Sequence, residues 1–382
     1  MRTMLRISAL LLMVSLVGCS ALNPWSSSKD KLKPLELPPL TQTAVNLKTL
    51  WHVSVGKSEP YVLTPAVAGG SVFVAAADGA LSRFDNGKEV WRIATDQTIS
   101  GGVGSDGKVV VVGTPKGEIL AFDAASGKSL WKAATGTEIL SVPAVSADLV
   151  IVRGSDSRIE AFEVAGGKRR WVYQRSTPAL TLRSNVGVAV LPGGVAAGFP
   201  GGKLVLISLA NGAQLWEAAV AMPKGATELE RVTDITSSPV AGGDNICAVA
   251  YQGRVTCFSV SNGNQLWSRD ISSMGGLDAD DKAVYVSADQ GAVLAFDISN
   301  GFNLWKQDKL ANRRLSRPLI IGDAVLVADN LGIVHALNRQ NGAFAARLNT
   351  EEDSPIAAEP QRMAHGIVVQ TLSGAVYALS VE

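Results

Sequence analysis

Apolar residues in this chain fall in short runs, and the runs come in sets of four. In the first set they cover residues 64–68, 71–76, 80–84 and 89–93. Runs of this length, bounded by turn residues, predict β-strands joined as hairpins. Asp78-Gly79 lies between the second and third runs and suits a tight turn that needs positive φ. Later sets carry Lys116-Gly117, Gln252-Gly253, Gln290-Gly291, Leu331-Gly332 and Ser373-Gly374 there. The third and fourth runs meet at Asn86-Gly87, Ser126-Gly127, Gly166-Gly167, Asn211-Gly212, Asn262-Gly263, Asn300-Gly301 and Asn341-Gly342. Asp85, Asp123 and Asp297 just before this join can accept bonds from backbone N–H groups ahead, as Asx turns do. The apolar stretch 186–199 is interrupted by Pro192, Gly193 and Gly194, and it too reads as a hairpin.

Tryptophan marks the fourth run of nearly every set. Trp51, Trp91, Trp131, Trp171, Trp216, Trp267 and Trp305 are separated by 40, 40, 40, 45, 51 and 38 residues. A further copy has Ala346 in the tryptophan place, and the last one, GAVYALSVE, has three strands only. A period near 40 residues with β patterning means propeller blades. One large aromatic per repeat at one position is what packing between neighbouring blades requires. The segment around Trp51 has no strands ahead of it, so the economical solution is closure, with residues 47–55 as the fourth strand of the last blade. The prediction is an all-β chain: an eight-bladed β-propeller of four-stranded blades over residues 46–382, its ring closed by the N-terminal strand. Closure also removes exposed sheet edges.

Composition agrees with this picture. Of 382 residues 47% are hydrophobic, and the formal net charge is +1, so no strong field favours nucleic acid. After the N-terminus no run reaches the roughly 18 apolar residues of a spanning helix. Residues 1–18 read as a signal peptide: Arg2 and Arg6, an apolar stretch over 7–17, then Leu16-Val17-Gly18-Cys19, which looks like a bacterial lipobox. Cleavage before Cys19 would expose a cysteine for lipidation, and two or more acyl chains anchor stably. Ser20 stands where an Asp would resemble an inner-membrane retention signal, so the expectation is the outer membrane. Residues 19–45 are rich in Ser, Lys and Pro and read as a lipidated cysteine followed by a flexible tether.

Two cysteines remain, Cys247 and Cys257, on the flanks of one predicted hairpin. A two-residue turn at Gln252-Gly253 would put their thiols on opposite faces. A three-residue turn centred on Gln252 would pair them directly. A disulfide and two buried thiols both stay open on this reading, and either role is structural.

Signs of catalysis are weak. Gly102-Val103-Gly104-Ser105-Asp106-Gly107 matches a dinucleotide fingerprint, but no helix follows it. Gly127-Lys128-Ser129 mimics the end of a phosphate loop, yet Phe122 stands where that loop needs glycine. His52, His335 and His365 sit in different repeats without ligand spacing, so no metal site or catalytic triad is expected. The expectation is a monomer without catalytic residues, metal or cofactor.

The repeat AFDxxxGxxLW, as at residues 121–131 and 295–305, resembles that of pyrroloquinoline-quinone (PQQ) propellers, which implies eight blades. Quinoprotein dehydrogenases of this fold are longer and carry an adjacent Cys-Cys pair. Here Cys247 and Cys257 are apart, so a periplasmic quinoprotein oxidoreductase is the rival reading, beside an envelope adaptor propeller. A lipobox, a short tether and eight such repeats are similar to the BamB family, lipoproteins of the outer-membrane β-barrel assembly machinery. That resemblance implies a non-catalytic scaffold on the periplasmic face of the outer membrane. It implies binding to the POTRA domains of BamA, indirect contact with the other lipoproteins, and support of barrel insertion. Exposed blade edges could also add a strand from a nascent outer-membrane protein, but no residue singles out an edge.

The site can be sought independently. From each tryptophan place to the next hairpin turn the spacing is 24–28 residues, but 31 after Trp171 and 37 after Trp216. Insertions in repeat proteins map to loops, often on the binding face. These two lie in adjacent blades. The resemblance falls on the same segments: Leu180, Leu182 and Arg183 match the family's LxLR element, and Asp234 an acidic position beside it, both implicated in BamA contact. The family pattern can carry a second acid two residues later, where this chain has Thr236. The picture is an apolar anchor from Leu180 or Leu182, a charged donor in Arg183 and an acceptor in Asp234. The competing structural picture makes the leucines core strand residues and pairs Arg183 with Asp234.

Overall fold

The computed structural model describes residues 33–40, 45–146 and 148–382, with the propeller unit over Leu35–Glu382. The signal peptide, Cys19 and the first part of the tether lie outside the described residues. Thirty-two strands, β1–β32, form eight antiparallel four-stranded sheets, and no helix occurs among the described residues. The first blade is β2 (Ala66–Ala68), β3 (Ser71–Ala75), β4 (Ala80–Asp85) and β5 (Lys88–Ala94), in that order. Each blade runs from an inner first strand to an outer fourth one. The first strand starts two residues later than its apolar pattern because the carbonyl of Thr64 accepts from Val103 of the next blade.

The ring closes as the pattern requires. β1 (Leu47–Ser54) pairs antiparallel with β32 (Ala375–Val381), from Leu47 opposite Val381 to Ser54 opposite Ala375. Asn46 and Glu382 exchange backbone bonds at the seam.

The repeat AFDxxxGxxLW has a physical reason. Each tryptophan lies on the turn glycine of the following blade: a Cβ on Gly167 would come within 2.5 Å of the Trp131 ring, and one on Gly301 within 2.5 Å of Trp267. Those glycines also sit at positive φ, 68° and 71°, so both space and backbone demand glycine. The indole N–H then donates across the same gap, Trp131 to the Val164 carbonyl at 2.7 Å and Trp267 to that of Ile298 at 2.7 Å. Trp51 covers Gly87, so the closing strand uses the same joint. Ala346 replaces tryptophan in the one blade whose successor has no turn between its third and fourth strands, because there the two chain ends meet. Val45, Leu47 and Val381 pack in the cluster that holds Ala346.

Near the axis the packing is backbone against backbone. A Cβ on Gly104 would lie 1.9 Å from the Pro143 carbonyl oxygen, and one on Gly102 2.8 Å from the Thr64 nitrogen. Of the fingerprint-like glycines, Gly102 and Gly104 therefore serve the close approach of inner strands, and Gly107 serves a turn at φ 88°. Stretch 186–199 forms the expected hairpin, β14 (Ala189–Leu191) with β15 (Gly194–Phe199). Cys247 on β19 (Asn245–Val249) stands opposite Cys257 on β20 (Arg254–Ser259), the turn centring on Gln252 at φ 48°, and the two are joined as a disulfide.

Residues 35–40 are more than tether. Leu35 donates to the Ala311 carbonyl (3.0 Å), Arg313 donates to the Leu35 carbonyl (3.3 Å), and Arg347 donates to that of Pro38 (3.3 Å). Leu37 packs against the cluster containing Trp305 and Leu310. Within the tether expected over 19–45, residues 35–38 lie along the propeller, held by these backbone bonds and by Leu37, while 41–44 lie outside the described residues.

Candidate functional site

The two long connections lie on the face that also bears the turns between second and third strands. The first runs from β13 (Arg169–Tyr173) to β14, and the second from β17 (Gln214–Ala219) to β18 (Val240–Gly242). Neither insertion holds a strand, so Leu180 and Leu182 are loop residues. Leu180 is 41% exposed, and Leu182 is half-buried.

Asp234 holds this loop in place. It is only 3% exposed. One carboxylate oxygen accepts from the Leu182 N–H at 2.7 Å and the other from the Gly201 N–H at 3.0 Å. Its own carbonyl accepts from the Tyr251 N–H. The expected role, an acceptor open to a partner, does not match this geometry, since both oxygens are spent on backbone donors. Asp234 is a positioning residue. It ties the first insertion to the turn at Gly201-Gly202 and keeps Leu182 at a fixed depth. A carboxylate accepting backbone N–H bonds is a charge-assisted arrangement, about twice as strong as a neutral one.

Arg183 is pinned from the other side. Its guanidinium donates to Glu138 at 2.6 Å, on the connection between the second and third blades, while the side chain stays 62% exposed. The pair holds Arg183 charged, its pKa raised first by this hydrogen bond. No bond links Arg183 to Asp234. The leucine-arginine element thus stands between two anchors, one on each side, with Leu180 and Arg183 presented outward. Thr236 donates to the Ser273 carbonyl at 3.3 Å. An ionised acid there could not donate, which accounts for threonine at this place in this chain.

Beneath the loop lies a cavity of about 240 Å³, lined by Leu182, Arg183, Glu138, Asp234 and Arg153 among others. Arg153 ends β11 (Leu149–Arg153). Neither Glu138 nor Arg153 was picked out from the sequence. Glu138 gives no signal there. Arg153 does give one, as a charge closing the otherwise apolar strand LVIVR. The three histidines are scattered: His52 stacks on Tyr377, and His335 bonds Asp329 in a buried site. Among the described residues no group of three or more His, Cys, Asp or Glu side chains is placed to hold a metal ion.

A family model described as outer membrane protein assembly factor BamB matches residues 81–307. The chain is 41% identical over 391 residues to the outer membrane protein assembly factor BamB of Nitrosomonas eutropha, covering 99% of this chain and 95% of that protein. The chain belongs to the BamB family. A crystal structure of a family member, BamB from Moraxella catarrhalis, superposes with a TM-score of 0.81 at 26% identity, covering 88% of this chain and all of that one. Quinohemoprotein alcohol dehydrogenase from Comamonas testosteroni superposes with a TM-score of 0.70 at 14% identity, covering 87% of this chain and 76% of that one, a likeness of fold alone. Family membership and the eight-bladed architecture thus agree.

Proposed function

We propose that this chain is a non-catalytic scaffold of outer-membrane protein assembly, and that it acts by holding a periplasmic partner on the face bearing the two long loops. Assembly-factor relatives of nearly equal length support the role. The observation that carries the binding mode is the doubly pinned loop: Asp234 fixes Leu182, Glu138 fixes Arg183, and Leu180 and Arg183 face outward. An ordered loop binds with less entropy lost than a mobile one. An exposed leucine beside a guanidinium is a suitable hot-spot pair. The partner is the POTRA region of BamA, with other lipoproteins reached through it. Cys19 carries the lipid that holds the propeller at the periplasmic face of the outer membrane.

The test is titration of the cognate POTRA domains with wild type and Arg183→Ala. Arg183 pairs with Glu138 in solvent, where ion pairs contribute little to stability. The variant should therefore melt as wild type does and bind at least about tenfold more weakly, the loss of a charged interface contact. A well-folded wild type that does not bind, or a variant that binds equally, would overturn the assignment.

A further inference from the structure

Arg153 is the one charged side chain of the site that the loop's own bonding leaves unsatisfied. It is 6% exposed, and its Nη1 is buried with no hydrogen-bond partner among the described residues. Its guanidinium carbon lies 5.2 Å from the centre of the Phe199 ring, and that of Arg175 lies 5.2 Å from the same ring. Arg175 is held in turn near Glu217 at 3.4 Å. Phe199 therefore fixes Arg153 by stacking and gives it no acceptor. The nearest acids are committed elsewhere: Asp234 to the N–H groups of Leu182 and Gly201, Glu138 to Arg183. Burial pulls Arg153 down to about 10, with Asp234 opposing, so it stays charged at neutral pH.

A buried cation with no hydrogen-bond acceptor, offset only by the charge of Asp234, is costly in the free protein. We propose that Arg153 is the receptor for a carboxylate that the bound partner inserts into the cavity under Leu182. This rests on the partner-binding reading above. The chemistry selects a carboxylate. The cavity, about 240 Å³, holds one uncommitted cation, which matches a single negative charge. A phosphate would bring nearly two charges toward Asp234 and Glu138, which line the same space. A planar guanidinium held in one orientation meets a planar carboxylate through two parallel N–H···O bonds. Leu180 and Arg183 would then form the rim, and Arg153 the desolvated centre where interface energy concentrates.

The test has two arms, both on the full chain. Arg153→Met keeps the bulk of the side chain and removes its charge, and Asp234 keeps its two backbone bonds, so the variant should fold. In the first arm both proteins titrate the cognate POTRA domains, and each exposed Asp and Glu of those domains is replaced by its amide. Arg153→Met should weaken binding at least about tenfold, Arg153→Lys should recover part of it, and one partner acid should show the same loss without further loss in the double variant. A Met variant within twofold of wild type, or no coupled acid, overturns the proposal. If wild type does not bind POTRA domains, the functional assignment falls, and the second arm decides. There sodium acetate is compared with sodium chloride at matched ionic strength. Acetate should raise the melting temperature of wild type and leave Arg153→Met unmoved. An equal response of the two proteins overturns the carboxylate site itself.

Discussion

Replacing Asp234 by alanine separates positioning from contact. The substitution removes two charge-assisted bonds, to the N–H groups of Leu182 and Gly201. Hydrogen bonds to charged groups contribute about 1.5–3 kcal/mol each. Both residues are partly exposed, so water can reach the freed donors, and the lower value applies to each. Loss of Asp234 also takes away the negative charge nearest buried Arg153. The expected cost is about 3 kcal/mol, which for a chain of this size lowers the melting temperature by roughly 4 °C. The effect should be local. Hydrogen exchange read on peptides should show faster exchange at Leu182 and Gly201, with the blade strands unchanged. POTRA binding should fall although Asp234 is buried away from the surface, because Leu182 and Arg183 lose their fixed placement. Asp234→Asn keeps one acceptor and should lie between. The reasoning fails if the Leu182 and Gly201 amides stay as protected in Asp234→Ala as in wild type, or if that variant binds as tightly as wild type.

Two further tests address the ring. Deleting residues 47–54 should cost about 5 kcal/mol or more, since half-buried Leu47, Trp51 and Val53 are lost and the buried Val376 and Ala378 packed with them are uncovered, at up to about 1.5–3 kcal/mol for each large apolar side chain; a deletion variant with unchanged urea midpoint would refute closure. Trp131→Ala should cost about 3–5 kcal/mol as a core truncation, and Trp91→Ala less, because Trp91 is only half-buried while Trp131 is 9% exposed; equal costs in denaturant titrations would show that the interblade joint does not set the energy.

The architecture was legible in the sequence because its two joints are written in residues with no substitute. Tryptophan needs a turn glycine beneath it, so the pair recurs at each gap, and even Ala346 marks the place where the turn is missing. The locations of Leu180, Leu182 and Arg183 were legible for a different reason, the lengthened spacing after Trp171. What was not legible is who bonds whom. Arg183 to Glu138, and Asp234 to two backbone nitrogens, are contacts between neighbouring blades, 45, 52 and 33 residues apart in the chain. Residue type gives the capacity for such bonds but not the partner. The docking of residues 35–38 was not legible either, since a short Leu- and Pro-rich stretch suits a free linker and a strap equally.

The seam of the ring also sets a timetable. Lys48 and Ser380 meet across it, 332 positions apart. A chain that emerges from its N-terminus first must hold β1 unpaired until the last residues have arrived. Loop closure over such a span is entropically slow, and long-range strand pairing comes late in folding. Until then the eighth blade is incomplete, and the apolar side of β1 is open to other chains. The finished propeller therefore forms only after the whole chain has been made.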